Sequence, residues 1–502
     1  MKSRSLFLVS HFVVLICVVI LLLSGLRIAT LQHSFWLHVS WLLPQGLVHL
    51  WHILAASFLL LALPIMLWCL YNKRQENGAF KAWNKLGSYL LVVSCTTGLL
   101  QVFSEAAQAQ VKWVHYYAAL GLLLFFLLHP IRYYLTKPLR VLSTYLLSPF
   151  FNKQNVGLLL ITIVIGAAIS AYILSKPDKL VVYQIENDSF IRIDGKDDEL
   201  DWQSANEVSI GTFGGANFNN GASKVSVKAL HNESEIYFFI RWQDPSESLL
   251  HLPLIKTNKG WKVKENGFAH NNELSFYEDK FAMLLSKSCF IAAAGTAHLG
   301  ANPLKGKPAN THKKGYHYSH SRTADLWHWK AVRTNNMFIM DDNFIGKPTA
   351  PIAGMSRYTA GYRQDSSLGG SYIMNWKWYS PKGIEPKRLP RFTETSAEGE
   401  RTWFSYKAYS PTDDDYSVGS TLPSVLYRSN QLEGGRAHVR ARGLYDSGYW
   451  HLEVVRKKQT QDDLDIAVED GVCMWLSAFD HAQIAHTRHV RPLQLRYQTQ
   501  SK

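Results

Sequence analysis

The chain has 502 residues, more than one hydrophobic core usually supports, so we expect at least two domains. Long apolar runs dominate the sequence up to about residue 176, and the remainder has the composition of a water-soluble protein. The runs rule out a cytosolic enzyme, and the basic loops between them account for much of the formal net charge of +14. Because no basic stripe with interleaved aromatic residues stands out, we expect no nucleic-acid partner.

Five apolar runs reach the ~20 residues that a helix needs to cross a bilayer. They are 6–29, 47–71, 86–103, 113–135 and 156–174. Most Lys and Arg residues of the short loops fall on the side of the N-terminus, and the opposite side carries only Arg27 and Lys112. Basic residues resist translocation, which predicts a cytoplasmic N-terminus. The predicted domain boundary lies between residues 176 and 177. Residues 1–176 would lie in the bacterial inner membrane, in contact with lipid, and residues 177–502 in the periplasm.

Histidines are the informative ionisable residues within the predicted spans, where such residues are costly and usually functional. His11 and His129 lie near the cytoplasmic ends of helices one and four, and His52 and His115 near the outer ends of helices two and four. His49 is an alternative to His52. A single histidine at this depth could simply cap a helix, but four at two matched depths favour a shared ligand-binding role.

The spacing of His115 and His129 suits two haems stacked across a membrane. Fourteen residues return the helix to within about 40° of the same face and separate the two positions by about 21 Å. A haem iron in a helical bundle takes axial ligands from opposed helices, commonly neutral imidazoles. After two intervening residues, His52 and His115 are each followed by Ala-Ala. These small residues would let a flat porphyrin approach the backbone.

These residues resemble the di-haem membrane cytochromes b, which include b561-type proteins and the membrane subunits of formate dehydrogenase and hydrogenase. The resemblance covers about 5–150 and is carried by His11 with the downstream Ser24-Gly25, His52, and the pair His115 and His129. It implies two b haems that exchange electrons with the quinone pool. The helix at 156–174 would tether the outer domain.

Short alternating runs with aromatic and β-branched residues predict strands in the outer domain. The runs are 191–195, 224–230, 235–242, 281–285 and 449–455. The fold class is therefore a membrane α-helical bundle plus a periplasmic all-β, jelly-roll-like sandwich. We expect 295–440 to form long loops. Cys289 and Cys473 are the two cysteines of this domain and could form one disulfide, since the periplasm is oxidising.

Several segments of the outer domain resemble the haem-binding domain of the ethylbenzene dehydrogenase γ-subunit family. They are 193–202, 229–245, 278–282, 325–330, 341–342 and 448–456, in the order and spacing of that family. The resemblance implies a sandwich that holds one b haem, which has Met and Lys axial ligands in the dehydrogenase complexes.

The chain departs from relatives that carry Cys-x-x-Cys-His, because the corresponding place reads Ala294-Gly-Thr-Ala297-His298. We predict that His298 binds a haem that has no thioether bonds, although it could equally be an ordinary loop histidine. His489 is the predicted second ligand. The alternatives are His317, His328 and Met283, but alternation in 327–329 would send both Trp side chains to one face, which favours a packing strand there.

The sequence thus predicts a membrane-anchored multihaem cytochrome that moves electrons between the quinone pool and a periplasmic redox partner protein. No nucleophile elbow or phosphate loop supports hydrolytic chemistry. The alternative is a carbohydrate- or ligand-binding sandwich, displayed on the membrane without its own haem and using its many Trp and Tyr side chains.

Overall fold

A computed structural model describes most of the chain, and every structural statement below concerns the described residues. They are 2–31, 33–71, 78–103, 108–136, 153–174, 177–289, 297–299, 304, 316–320, 323–350, 360–391, 399–428 and 432–498. The chain divides into two compact units. One comprises Met1–Lys176 with Phe290–Ala301, and the other comprises Pro177–Cys289 with Asn302–Lys502.

The first unit contains five long helices. They are α1 (Lys2–Ala29), α2 (Val48–Tyr71), α3 (Gly78–Phe103), α4 (Gln108–Thr136) and α5 (Lys153–Leu174). Helix α1 packs along α2, α3 packs along α4, and α5 lies against α2 and α1. Apolar side chains such as Leu22, Leu63 and Leu122 fill the space between the helices.

Four helices in the described part of the chain are long and apolar enough to cross a membrane. The spans are Ser5–Ala29, Val48–Tyr71, Gln110–Ile131 and Lys153–Tyr172. The prediction of five spans is thus confirmed for four helices. The remaining one, 86–103, does form a helix within α3, but Asn84, Lys85 and Gln101 lower the mean hydropathy of the described part of that helix.

The second unit is built from strands and one short helix, α6 (Leu200–Ser204). Its strands, together with β8 from the inserted segment 290–301, are β1 (Asp178–Gln184), β2 (Val208–Phe213), β3 (Ala222–His231), β4 (Glu235–Gln243), β5 (Leu254–Thr257), β6 (Gly260–Val263), β7 (Lys280–Ser286), β8 (Ala297–His298), β9 (Tyr316–His317), β10 (Ala324–Lys330), β11 (Ile339–Thr349), β12 (Ala360–Gln364), β13 (Tyr372–Met374), β14 (Arg388–Pro390), β15 (Tyr406–Ala408), β16 (Thr421–Leu422), β17 (Val425–Tyr427), β18 (Val439–Asp446), β19 (Tyr449–Lys457), β20 (Cys473–Phe479) and β21 (Leu493–Gln498).

One large sheet forms the sandwich. Its strand order is β1-β21-β20-β7-β10-β11-β18-β19-β4-β3-β2, with β12 added beside β11. Strand β1 also pairs with β3, so the sheet closes on itself around a single core. The core includes the fully buried indoles of Trp242, Trp327, Trp329 and Trp450. Both Trp residues of 327–329 face the core, as their alternation predicted.

Four of the five predicted strand segments lie in strands, and the segment 191–195 does not. Its backbone N–H groups bond to carboxylates instead of to a neighbouring strand. The amides of Asp194 and Gly195 donate to Oε2 of Glu453 at 2.8 and 2.9 Å. A buried side chain thus replaces the strand ladder, which an alternating sequence pattern does not reveal.

The prediction of long loops over 295–440 is wrong for its middle part. Strands β10 and β11 lie near the centre of the main sheet, with Trp327 in register with Asp342. Their charged residues, including Asp325, Lys330 and Asp341, are buried and break the expected alternation of apolar and polar residues. A polar sequence was therefore mistaken for an exposed one.

A disulfide joins Cys289 to Cys473 in the structure, with Cα atoms 5.2 Å apart and a sequence separation of 184. It ties the chain just after β7 to the first residue of the neighbouring strand β20. A crosslink that closes so long a loop removes much of the conformational entropy of the unfolded chain.

Replacing Cys289 by Ser in the full chain should therefore lower the free energy of unfolding of the sandwich by about 2–5 kcal/mol. Urea titration followed by tryptophan fluorescence measures the change. Cys95→Ser, which alters a cysteine of α3 that is not disulfide-bonded, is the matched control and should leave this transition in place. Equal midpoints for Cys289→Ser and the wild type would contradict the prediction.

Candidate haem-binding sites

The structure brings together His52 and His115, the two histidines that the sequence predicted at one level. His52 of α2 and His115 of α4 lie with their ring centroids 6.4 Å apart and their planes at 75°. Nδ1 of His52 lies 2.9 Å from the hydroxyl of Ser24 in α1. Nδ1 of His115 lies 3.0 Å from the hydroxyl of Thr97 and 3.1 Å from the carbonyl oxygen of Ser94, both in α3. His49 is one turn earlier in α2, and the ring that faces His115 is that of His52.

This geometry fits two axial ligands of one iron. Metal–imidazole bonds are about 2 Å long, and the ring radius adds about 1 Å on each side, so two ligands of one iron have ring centroids roughly 6 Å apart. Histidines that bind metals usually donate the other ring N–H to an oxygen acceptor, which fixes the tautomer and the ring orientation. Ser24, Thr97 and the Ser94 carbonyl supply such acceptors, so Nε2 of each imidazole keeps its lone pair.

A glycine follows each hydroxyl residue and makes room for the histidine. A Cβ atom added to Gly25 would lie 3.3 Å from Cε1 of His52, and one added to Gly98 would lie 3.4 Å from Cε1 of His115. The two helix pairs thus repeat one arrangement, in which a hydroxyl-glycine dipeptide on one helix supports a histidine on the next. Sequence reasoning noted Ser24-Gly25 and missed Thr97-Gly98, although the dipeptide pattern was there to be read.

The inner histidines have different surroundings. The His11 ring lies 5.6 Å from that of Phe7, and the His129 ring lies 5.0 Å from that of Phe125. The indole N–H of Trp83 donates to Nδ1 of His129 at 3.2 Å. An Nδ1 that accepts leaves the proton of a neutral imidazole on Nε2, so binding of iron through Nε2 would require this hydrogen bond to be lost. The inner ligand pair therefore stays a prediction.

In the sandwich, His489 is buried and both of its ring nitrogens are engaged. Nδ1 donates to the carbonyl oxygen of Arg491 at 2.6 Å, and Nε2 accepts the backbone N–H of Leu476 at 2.8 Å. Burial lowers the pKa of His489 to about 4, so the ring is neutral at pH 7. It joins the final loop to β20 and keeps no lone pair for an iron unless that contact breaks.

His486, three residues earlier, has the arrangement that His489 lacks. Its Nδ1 donates to the carbonyl oxygen of Thr487 at 2.7 Å, which leaves the lone pair of a neutral ring on Nε2. Burial lowers the pKa of His486 to about 3, with smaller contributions from nearby cations and from His317. His486 was not among the ligands predicted from the sequence.

Other candidate haem ligands of the sandwich lie near the His486 ring. The Phe479 ring lies 4.9 Å from the His486 ring and stacks on the His328 ring at 5.4 Å. The Lys280 ammonium lies 4.0 Å from the centre of the Phe479 ring. Burial, together with Lys330 and Lys280, holds the pKa of His328 well below its ordinary value. His317 is half-buried in β9. These aromatic and cationic groups form what we call the Phe479 cluster: Lys280, His317, His328, Phe479 and His486.

Two predicted residues lie elsewhere. Met283 of β7 is fully buried in the sandwich core, in register with Trp327, so its sulfur faces packed side chains. His298 is buried in β8, within the segment that groups with the helical unit, whereas we expected it to belong to the sandwich. The next residue, Leu299, exchanges two backbone hydrogen bonds with Gly46, ahead of α2. Ala294 lies outside the described residues.

A family model described as ethylbenzene dehydrogenase matches residues 199–491, which is more than half of the chain. The chain belongs to the ethylbenzene dehydrogenase family. The matched region contains every candidate ligand of the sandwich, and the helices of the first unit precede it. The resemblance of 5–150 to di-haem cytochromes b stays a prediction.

Other comparisons add little to this assignment. No curated protein matches the sequence. Among solved structures, a family 9 carbohydrate-binding module from Caldicellulosiruptor kristjanssonii in complex with cellotriose is 7% identical, with 64% of this chain and 95% of that chain covered and a TM-score of 0.23. A family 9 module from the same organism in complex with glucose is also 7% identical, with 64% of this chain and 98% of that chain covered and a TM-score of 0.24. Scores this low support no inference about function.

Proposed function

We propose that this member of the ethylbenzene dehydrogenase family is a membrane-anchored multihaem cytochrome, which carries electrons between the quinone pool and a redox partner protein outside the cytoplasm. The observation that carries the proposal is the facing pair His52 and His115, with rings 6.4 Å apart and both Nδ1 atoms beside oxygen acceptors. Haem b supplies one-electron transfer when it is bound.

The helical unit supports this proposal through the roles of its own side chains. His52 and His115 would hold the iron of the outer haem, and Ser24 and Thr97 would orient the two imidazoles. Gly25 and Gly98 leave the histidines room. His11 and His129 would hold the inner haem. Histidines at two depths would let electrons cross the apolar part of the unit in two steps.

The sandwich would hold the third haem. His486 is the ligand that we favour there, since its Nδ1 is fixed by a backbone carbonyl and its ring is neutral. His317 and His328 of the same unit are the candidates for the second ligand, and the ligand role predicted for His298 stays a prediction. Family membership supports a redox role for this unit.

We place the protein in a bacterial inner membrane, with the N-terminus in the cytoplasm and the sandwich in the periplasm. The distribution of Lys and Arg among the loops supports this orientation. The disulfide between Cys289 and Cys473 is also typical of an oxidising compartment.

Haem content and spectrum test the proposal on the full chain purified from membranes. We expect a reduced b-type α-band, a pyridine haemochrome count of three haems per chain, and reduction of these haems by an added quinol. Fewer than two haems per chain would contradict it. A count of two, with all haem in the helical unit, would instead favour the sandwich as a ligand-binding module.

A further inference from the structure

Four aspartates from separate parts of the chain meet on the core-facing side of the main sheet. Asp325 lies on β10, Asp342 on β11, Asp365 just after β12 and Asp465 in the connection between β19 and β20. Asp325 shares the face of Trp327 by alternation, and Asp342 is in register with Trp327. We call these four residues the aspartate cluster.

The cluster has a single nearby guanidinium, that of Arg456, which lies over the Trp327 ring. Its Nη1 donates to Oδ2 of Asp325 at 2.7 Å, and its Nη2 lies 2.8 Å from Oδ2 of Asp465. Asp342 lies further away, with Oδ2 4.0 Å from Nε of Arg456. Among the described residues, Arg456 and, beside Asp465, the His438 ring face four carboxylates, so ionised carboxylates would outnumber the cationic groups that face them.

Six carboxylate oxygens of the cluster are inaccessible to solvent and, among the described residues, have no N–H or hydroxyl donor; their close polar neighbours are other carboxyl groups, in the pairs Asp325–Asp342 and Asp365–Asp465. The six oxygens are Oδ1 of Asp325, both oxygens of Asp342, both oxygens of Asp365 and Oδ1 of Asp465. The Asp342 side chain is completely buried. An unpaired buried carboxylate costs several kcal/mol, so a buried group of this kind requires a counterion or a proton.

The oxygens of Asp325 and Asp465 divide their roles. Oδ2 of Asp325 accepts from Arg456 and from the backbone N–H of Ile466 at 3.3 Å, and its Oδ1 stays unpaired. Oδ2 of Asp465 accepts from the Thr460 hydroxyl and lies 2.9 Å from Nδ1 of His438, and its Oδ1 also stays unpaired. Carboxylates that bind metals are held in this manner, with one oxygen oriented by protein donors and the other turned to the ion.

We propose that the aspartate cluster is a binding site for a structural Ca²⁺ ion. Calcium takes oxygen ligands, carboxylates among them, at distances of 2.3–2.6 Å, and the cluster offers carboxylate oxygens that no N–H or hydroxyl donor occupies. Ligand atoms of Asp342, His438 and Asp465 lie within 4.8 Å of one another, which is the span that two such bonds allow. His438 serves as a positioning residue for Asp465, because hard cations prefer oxygen to imidazole nitrogen.

A second acidic group shows by contrast what a cluster without such a site looks like. Asp279, Asp480 and His481 also lie close together. There, both oxygens of Asp279 are already bonded: Oδ1 accepts from the His481 amide at 2.9 Å, and Oδ2 from the Ser248 amide at 2.7 Å and the Trp450 indole at 3.1 Å. Asp480 keeps one buried oxygen, Oδ2, without a partner among the described residues, and its Oδ1 lies beside the Ser246 hydroxyl and Nδ1 of His481. With one such oxygen instead of six, we assign no ion to that group.

Calcium analysis of the full-length protein tests the site. After treatment with a chelator and dialysis against Ca²⁺, we expect one Ca²⁺ per chain by elemental analysis, separate from the iron content. Ca²⁺ should also raise the midpoint of thermal unfolding in proportion to the logarithm of its concentration. Asp342→Asn should weaken calcium binding at least about 100-fold, and His438→Ala about 10–100-fold, because the imidazole only orients a ligand.

Asp188→Asn changes an exposed aspartate and is the matched control, with unchanged calcium content. If Asp342→Asn does not fold, Asp365→Asn replaces it with the same expectation, since Asp365 is only partly buried. No calcium above the buffer level in the wild type would overturn the proposal. Equal affinity for Mg²⁺ and Ca²⁺, or full calcium content in both aspartate variants, would overturn it as well.

Discussion

His115→Ala in the full chain should remove one haem and leave the others, because His115 belongs to only one proposed ligand pair, that with His52. His52→Ala should remove the same spectral component. We expect the haemochrome count to fall by one in each variant, and the redox titration to lose one and the same midpoint. His129→Ala should remove a different component, because His129 lies fourteen residues further along α4. Loss of one component in both His129→Ala and His52→Ala would contradict the pairing.

The hydroxyl residues provide a finer form of this experiment. Thr97→Val removes a hydroxyl at constant shape, but His115 keeps the Ser94 carbonyl as a partner at 3.1 Å. Ser24→Ala removes the hydroxyl that lies beside Nδ1 of His52. His52 likewise keeps the backbone carbonyl of Leu21 as a partner. We therefore expect both variants to keep the haem and to shift its midpoint potential, each by less than loss of the histidine would. Ser57→Ala, a hydroxyl bonded only within α2, is the control.

The second large effect concerns two histidines of one loop. His486→Ala should abolish haem binding by the sandwich and lower its free energy of unfolding by about 1 kcal/mol, because the carbonyl of Thr487 loses one donor. His489→Ala should keep that haem but lower the free energy of unfolding by about 1–3 kcal/mol, because it leaves the buried N–H of Leu476 and the carbonyl of Arg491 without partners.

Haem content and the urea midpoint separate the two roles, and each variant is the other's control. If His489→Ala lost the haem of the sandwich while His486→Ala kept it, the original assignment of His489 would be restored. If both variants kept it, the ligands would have to come from other residues of the sandwich, with His317 and His328 as the candidates.

The membrane histidines could be paired from the sequence because helical geometry is regular. A rise of about 1.5 Å per residue gives each histidine a depth, and depth alone brought His52 and His115 to one level. The partners of their Nδ1 atoms depend on how α1 and α3 are rotated against their neighbours. Apolar runs with little sidedness give no information on that rotation, so the repeated hydroxyl-glycine dipeptide was the one signal in the sequence that pointed to Thr97.

In the sandwich, sequence reasoning failed because it took charged residues to be exposed. Asp325 and Asp342 look like loop residues in a sequence, yet they sit on central strands beside Trp327. Choosing between His486 and His489 was harder still, because the final loop has no regular backbone. Which nitrogen meets a carbonyl and which meets an amide depends on a chain path that no periodicity encodes.

The closure of the main sheet has a consequence for how the protein is made. Strand β1 directly follows α5 in sequence, yet its neighbour along six residue pairs is β21. Its other partner, β3, meets it at Tyr183 and Gln184. A ribosome makes β1 roughly three hundred residues before β21, so most of the first strand waits unpaired until β21 has been made. A chain cut short before β21 would keep β1 as an open strand edge, and such an edge pairs readily with other chains.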